Sequence, residues 1–237
     1  MRSLLWTLCA VLPLAANTYF VSDAFTGGIP AANWLSNGTV SGTSADGLWS
    51  AAANGGSVIY KNAINDPAGA DLLYEFTTKL KITASGGTFV MYSRATPDAL
   101  TGAAPQGTFY AAEFSPTLTA GGCTMTANYY KRVGMTVYLL AAQTLACKDG
   151  MTIRWAQRNG YAAILTSLNE LYMLYDGSVG LGRPGFGVRA MPAGNGILEG
   201  KVGNLEYVPP GNIVPTSLRS AVFDKRVDLA WRGWWTM

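Results

Sequence analysis

The stretch from Leu171 to Glu206 constrains the fold most, because its apolar residues come in short runs separated by glycine-bearing turn signals. Phe186, Val188 and Ala190 alternate with Gly187 and Arg189, the period of two that a half-buried strand requires. Asp176-Gly177 offers a tight-turn pair directly after the apolar run that ends at Tyr175. The segment reads as the closing strands of an all-β sandwich. Arg183-Pro184-Gly185 is expected to be a loop entering a central strand, with Phe186 and Val188 facing the core and Arg189 facing out.

The rest of the chain repeats this pattern. Tyr74, Phe76, Thr78, Leu80 and Ile82 occupy one face of a strand and Glu75, Thr77, Lys79 and Lys81 the other. Gly86-Gly87 separates that strand from Thr88 to Tyr92, a spacing that suits a hairpin, and Thr108 to Phe114 forms another strand after the Pro/Gly-rich loop from Pro97 to Gly107. Upstream come Phe25, Trp34, Asp46-Gly47-Leu48 and the run Ser57 to Tyr60. Downstream, Thr152 to Gln157 alternates through Ile153 and Trp155, and Arg158-Asn159-Gly160 supplies a turn. Between Tyr161 and Tyr175, Ile164, Leu165, Leu168, Leu171, Tyr172 and Tyr175 also match helical spacing. Two short strands are the preferred reading, because hairpin signals flank the interval on both sides.

The closing segment Leu171 to Glu206 resembles the end of the concanavalin A-like lectin/glucanase jelly roll, a superfamily that includes laminin G-like and many extracellular carbohydrate-binding modules. The resemblance implies a two-sheet antiparallel jelly-roll sandwich, here over residues 17–208, and an extracellular setting. It does not settle an activity. Calcium is a recurrent companion of the superfamily, but the chain has no D-x-D-x-D cluster, no calcium ligands are assignable, and Asp176 in its glycine-rich turn is read as turn chemistry.

The N-terminus carries the compartment signal. Arg2 supplies a positive start, Leu4 to Leu14 is an apolar stretch of secretory length, and Leu14-Ala15-Ala16 is an acceptable cleavage site. Residues 1–16 are therefore expected to be a signal peptide, since a run of 11 residues falls short of the roughly 20 a membrane span needs. A secreted or cell-surface location follows, with no membrane span after cleavage. Charged residues make up only 13% of the chain, and the formal net charge of +3 is spread along it rather than clustered, which speaks against a nucleic-acid partner. In an exported chain Cys123 and Cys147 are expected to form a disulfide, two buried free thiols being the alternative.

From Pro209 the composition changes. Pro215 to Ala221 and Val227-Asp228-Leu229-Ala230-Trp231 resemble the first two strands of a fibronectin type III domain, with Trp231 matching that family's buried tryptophan. Residues 209–237 are expected to be a linker followed by an incomplete segment of this kind, without an independent fold.

Chemistry is bounded by what is missing. With no histidine there is no Ser/His/Asp triad, no Cys/His pair and no histidine-bearing metal centre. Glycoside hydrolysis needs only two carboxylates, but no two acids stand at i, i+2. Asp71 and Glu75 share a strand face at a separation of roughly 13 Å, too long for either mechanism. A non-catalytic carbohydrate-binding or adhesive module is therefore expected, with a glycan or cell-surface polysaccharide as partner and no cofactor. A ligand-free structural spacer and a divergent glycosidase are the alternatives. Tyr92 with Arg94, Tyr110, and Arg154 with Trp155 are the candidate ligand residues, each weighed against a place in the core. A concave sheet face lined by exposed aromatics would mark a sugar site, whereas buried aromatics would favour the spacer. Asn37-Gly38-Thr39 is a formal glycosylation sequon.

Overall fold

A computed structural model describes residues 18–62, 71–103, 105–158, 161–180 and 182–208. The expected leader (1–16), the Asn159-Gly160 turn and the segment 209–237 lie outside the described residues. Fifteen strands form among them: β1 (Thr18–Asp23), β2 (Trp34–Gly38), β3 (Ser41–Thr43), β4 (Gly47–Trp49), β5 (Gly56–Tyr60), β6 (Asp71–Lys81), β7 (Thr88–Ala95), β8 (Phe109–Thr119), β9 (Gly122–Val133), β10 (Thr136–Cys147), β11 (Thr152–Arg158), β12 (Tyr161–Thr166), β13 (Leu171–Tyr175), β14 (Arg183–Arg189) and β15 (Gly196–Val208).

The strands make two antiparallel sheets packed face to face. One is eight-stranded, in the order β13-β12-β11-β6-β15-β4-β3 with β1 also paired to β15; the other is seven-stranded, in the order β10-β9-β8-β7-β14-β5-β2. Alternation decides which residues meet between them. Phe76, Thr78 and Leu80 of β6 face inward together with Ile153 and Trp155 of β11, and meet Phe89, Met91, Phe114, Tyr129 and Phe186 from the other sheet. Trp155 stacks on Phe76 at 5.2 Å, and Phe76 meets Phe186 edge-on across the sandwich at 6.2 Å. Gly200 is required at this contact, since a Cβ there would lie 2.7 Å from the Phe186 ring. At the β9/β13 end, Tyr129 and Tyr172 stack at 4.3 Å and join the two sheets.

The Cys123–Cys147 disulfide is present, with the two Cα atoms 4.9 Å apart as a directly opposed pair of β9 and β10. The interval 161–175 forms two strands, β12 and β13, turned through Asn169 at a φ of 64°. Three local expectations need correction. Gly86-Gly87 does not close a hairpin: β6 and β7 lie in different sheets, so these residues, both at positive φ, carry the chain across the edge of the sandwich. The buried Asn195 holds that crossing by accepting from the amides of Thr83 and Ala84 and donating to the carbonyls of Ala84 and Gly86. Asp176-Gly177 likewise begins a crossing, from edge strand β13 to β14 in the middle of the other sheet. Finally, Arg183-Pro184-Gly185 is strand rather than loop, its proline seated where the register to β7 shifts, while Ala190 leaves the strand exposed at a φ of 47°.

Candidate functional site

The seven-stranded sheet buries its inner face in the sandwich, and the register fixes what its outer face carries. Phe109, Ala111 and Glu113 of β8 stand opposite Arg132, Tyr130 and Asn128 of β9, while the intervening Tyr110, Ala112, Phe114, Ala127 and Tyr129 go to the core. Val137 and Leu139 of β10 continue the outer rows beside Arg132 and Tyr130. A bulge between Leu139 and Ala141 then re-aims β10, so that Leu145 and Cys147 point inward. On the other flank the outward positions of β14 are Gly185, Gly187 and Arg189.

Half of this outer face is roofed. The loop from 96 to 107 folds back over β7, β14, β5 and β2, and its backbone is tied down by side chains from the sheet. The Tyr92 hydroxyl bonds Thr101 Oγ1 at 3.0 Å and accepts from the Thr101 amide at 3.1 Å. Ser57 Oγ donates to the Ala99 carbonyl at 2.6 Å, and Asn37 Nδ2 donates to that of Pro97 at 2.8 Å. Beneath the loop Ile59, Val90, Tyr92, Ala95, Ala99, Phe109, Ala111 and Tyr130 form a second apolar cluster. The Tyr92 ring lies over Gly187, where a Cβ would fall 2.8 Å from it.

The other half, over β8, β9 and β10, is open and holds a cavity of about 340 Å³. Loop residues Thr101, Gly102 and Pro105 form one wall, and the exposed Val137 and Leu139 form the opposite one. Its floor is polar. Glu113 accepts from the Tyr130 hydroxyl and from Arg189 Nη2, both at 2.7 Å. Asn128, Arg132 and the buried Phe109 complete the lining, Arg132 being only 2% exposed. Burial, and next the adjacent Glu113 carboxylate, hold the Tyr130 phenol protonated far above its ordinary range, so it is a fixed donor. Such a set can hydrogen-bond hydroxyls from below while an apolar ring face rests on Val137 and Leu139. Among the described residues Glu113 is the only acid lining the cavity.

The residues singled out from the sequence are not brought together. Tyr92 lies under the loop. Tyr110 is buried toward the core, its hydroxyl bonded to Asp176 and accepting from the Val179 amide at 3.0 Å. Trp155 is buried between the sheets, and its indole donates to Gln157 Oε1 at 3.1 Å. Arg94 is buried at a φ of 51° and donates to the Val179 carbonyl at 3.0 Å. Arg154, next to inward-facing Trp155, sits half-buried on the far sheet. Sequence reading passed over Glu113, Asn128, Tyr130, Arg132 and Arg189. The one signal it held is the outward row Asn128, Tyr130, Arg132 at period two on β9.

Two further places were candidates for ligand chemistry. Asp176 is spent on structure: it accepts from Lys131 Nζ at 2.6 Å and, in an Asx turn, from the Ser178 amide at 2.8 Å. A cavity of about 350 Å³ formed by residues 23–30 has one acid, Asp23, which is taken by the indole of Trp34 and the amide of Asn33. Among the described residues no three His, Cys, Asp or Glu side chains gather as a metal site.

No protein-family model and no curated protein matches the sequence. Solved structures do match. A protein of unknown function with a galectin-like fold from Bacillus subtilis superposes with a TM-score of 0.56 at 12% identity, over 82% of this chain and 99% of that one. The fold is the concanavalin A-like jelly roll. A carbohydrate-binding module from Bacillus subtilis is similar at a TM-score of 0.49 and 13% identity, over 72% of this chain and 91% of that one. A β-1,3-1,4-glucanase (lichenase) from a mouse hindgut metagenome is similar at 0.43 and 14%, over 80% and 98%. At 12% identity the likeness to the galectin-like protein shows the fold alone, and function has to be argued from the site.

Proposed function

We propose that the chain is an exported, non-catalytic saccharide-binding module whose site is the open cavity on the outer face of the seven-stranded sheet. The observation that carries this reading is the floor: Glu113, locked between Tyr130 and Arg189, stands beside Asn128 as a preorganised hydrogen-bonding set with an apolar wall opposite the loop. Export is supported by the Cys123–Cys147 bridge, a bond that persists in oxidising compartments. That no second acid lines the cavity among the described residues supports binding without hydrolysis.

A glycan array probed with the wild-type chain and with Asn128→Ala tests the reading. Binding to at least one saccharide class, reduced tenfold or more in Asn128→Ala, is expected. Release of reducing sugar from a bound polysaccharide would replace it with the glycosidase. The spacer reading also has an observation in its favour: Tyr92, Phe109 and Tyr130, the rings of this face, are buried rather than exposed for stacking. An array with no binding would leave the spacer standing.

A further inference from the structure

The cavity contains a cation without a counter-charge. Arg132 is 2% exposed and lines the cavity, yet its Nε has no hydrogen-bond partner, and its Nη2 reaches only Met135 Sδ, at 3.9 Å, a weak acceptor. None of the ion pairs among the described residues includes it. Glu113, the one acid of the lining among the described residues, already pairs with Arg189 and accepts from the Tyr130 hydroxyl, so its charge is taken while its oxygens can each accept once more. The register explains why nothing nearer can help: Arg132 stands between Phe109 on β8 and Val137 on β10, neither of which has a side-chain acceptor. One negative charge (Glu113) against two positive ones (Arg189 and Arg132) leaves the lining at +1.

We propose that the ligand is an acidic saccharide, and that Arg132 receives its anionic substituent, a carboxylate, sulfate or phosphate. The inference rests on the saccharide-binding reading and narrows its substrate class. A buried guanidinium with no anionic partner and an unpaired Nε is costly in the free protein, and an oxyanion entering the cavity offsets that cost. The planar fork of an arginine matches a two-oxygen anion with parallel hydrogen bonds, which a hydroxyl cannot reproduce. Asn128 and the Glu113 set then address the neutral hydroxyls of the same sugar.

The test titrates the full chain with uronic acid trimers and, in parallel, with the same trimers after reduction of their carboxyls to alcohols. Sulfated and phosphorylated hexose oligomers serve as the other anion sources. Wild type is expected to bind an acidic oligomer at least tenfold more tightly than its neutral counterpart. Arg132→Met should bring that ratio to about one while melting no lower than wild type, because it removes an unpaired buried charge and keeps an apolar stem. Arg132→Lys should keep part of the preference. A wild-type ratio near one, or a ratio that survives Arg132→Met, overturns the inference. If neutral oligomers then bind and Asn128→Ala weakens them, the saccharide-binding reading stands without its anion. If no oligomer of either kind binds, both fall together.

Discussion

The outer face of the seven-stranded sheet is one surface put to two uses. Over β7, β14, β5 and β2 the polar groups Tyr92, Ser57 and Asn37 are all matched by the backbone of the loop from 96 to 107, so that half is closed and structural. Over β8, β9 and β10 Glu113, Tyr130 and Arg189 are matched to one another, while Arg132 has an unpartnered Nε and only the weak acceptor Met135 Sδ at Nη2. The difference separates stability from recognition within a single sheet. Polar groups satisfied by the chain hold the fold; polar groups left facing a cavity are available to a ligand.

Substitution should therefore cost stability on the closed half and binding on the open half. The largest expected effect lies beneath both, where Phe186→Ala should cost about 3 to 5 kcal/mol by opening a cavity against Trp34, Phe76 and Gly200. A denaturation midpoint equivalent to less than about 1 kcal/mol of loss would mean that Phe186 is not a core residue. Next comes the staple on the open half. Reduction of Cys123–Cys147, which closes a separation of 24 residues, should cost about 3 kcal/mol. If thermal melts with and without reductant coincide, β10 is held without it.

On the closed half, Tyr92→Phe removes the anchor of Thr101 and should cost about 1 to 2 kcal/mol. Faster proteolysis between Pro97 and Gly107 is the readout specific to the loop. A Tyr92→Phe variant with unchanged stability and protease resistance would erase the distinction between the halves. The smallest effect concerns acid. Burial works to raise the Asp176 carboxyl, but hydrogen bonds from Lys131, Ser178 and Tyr110 outweigh it and hold the group well below the usual carboxylate range. Because the folded value is depressed, this stabilisation is present above the unfolded value, near pH 4, and is lost as pH falls below it. Asp176→Asn should lower stability at pH 7 and flatten the acid side of the stability profile. Parallel profiles for variant and wild type would refute the role of Asp176.

Much of the fold is legible in the chain, because period-two alternation reports burial directly. Phe76, Thr78 and Leu80 go to the core as their spacing requires, and 161–175 forms two strands in spite of a competing helical periodicity. Destinations are less legible. Gly86-Gly87 and Asp176-Gly177 announce that the chain bends, but the bend is compatible with pairing next door or with crossing to the opposite sheet. What selects crossing is distant: Asn195 holds the loop at Gly86, while Tyr110 and Lys131 hold Asp176.

The site is harder still to read, since Glu113 and Arg189 are 76 positions apart and meet only through the register of β8, β7 and β14. Aromatic content pointed to Tyr92, Tyr110 and Trp155, and a sandwich with two apolar clusters consumes rings of that kind. The period-two row Asn128, Tyr130 and Arg132, which was not singled out from the sequence, is the one trace of a polar outer face. It could not show which half of that face the 96–107 loop would cover.

The division of the outer face can be tested most directly by backbone amide chemical-shift mapping of the ¹⁵N-labelled chain, titrated with the saccharide that binds most tightly on the array. Perturbations concentrated in Phe109–Glu113, Asn128–Leu139 and Gly187–Arg189, with the eight-stranded sheet unmoved, are the predicted result. Shifts confined to the eight-stranded sheet or to residues 23–30, with β8, β9 and β10 silent, would contradict it.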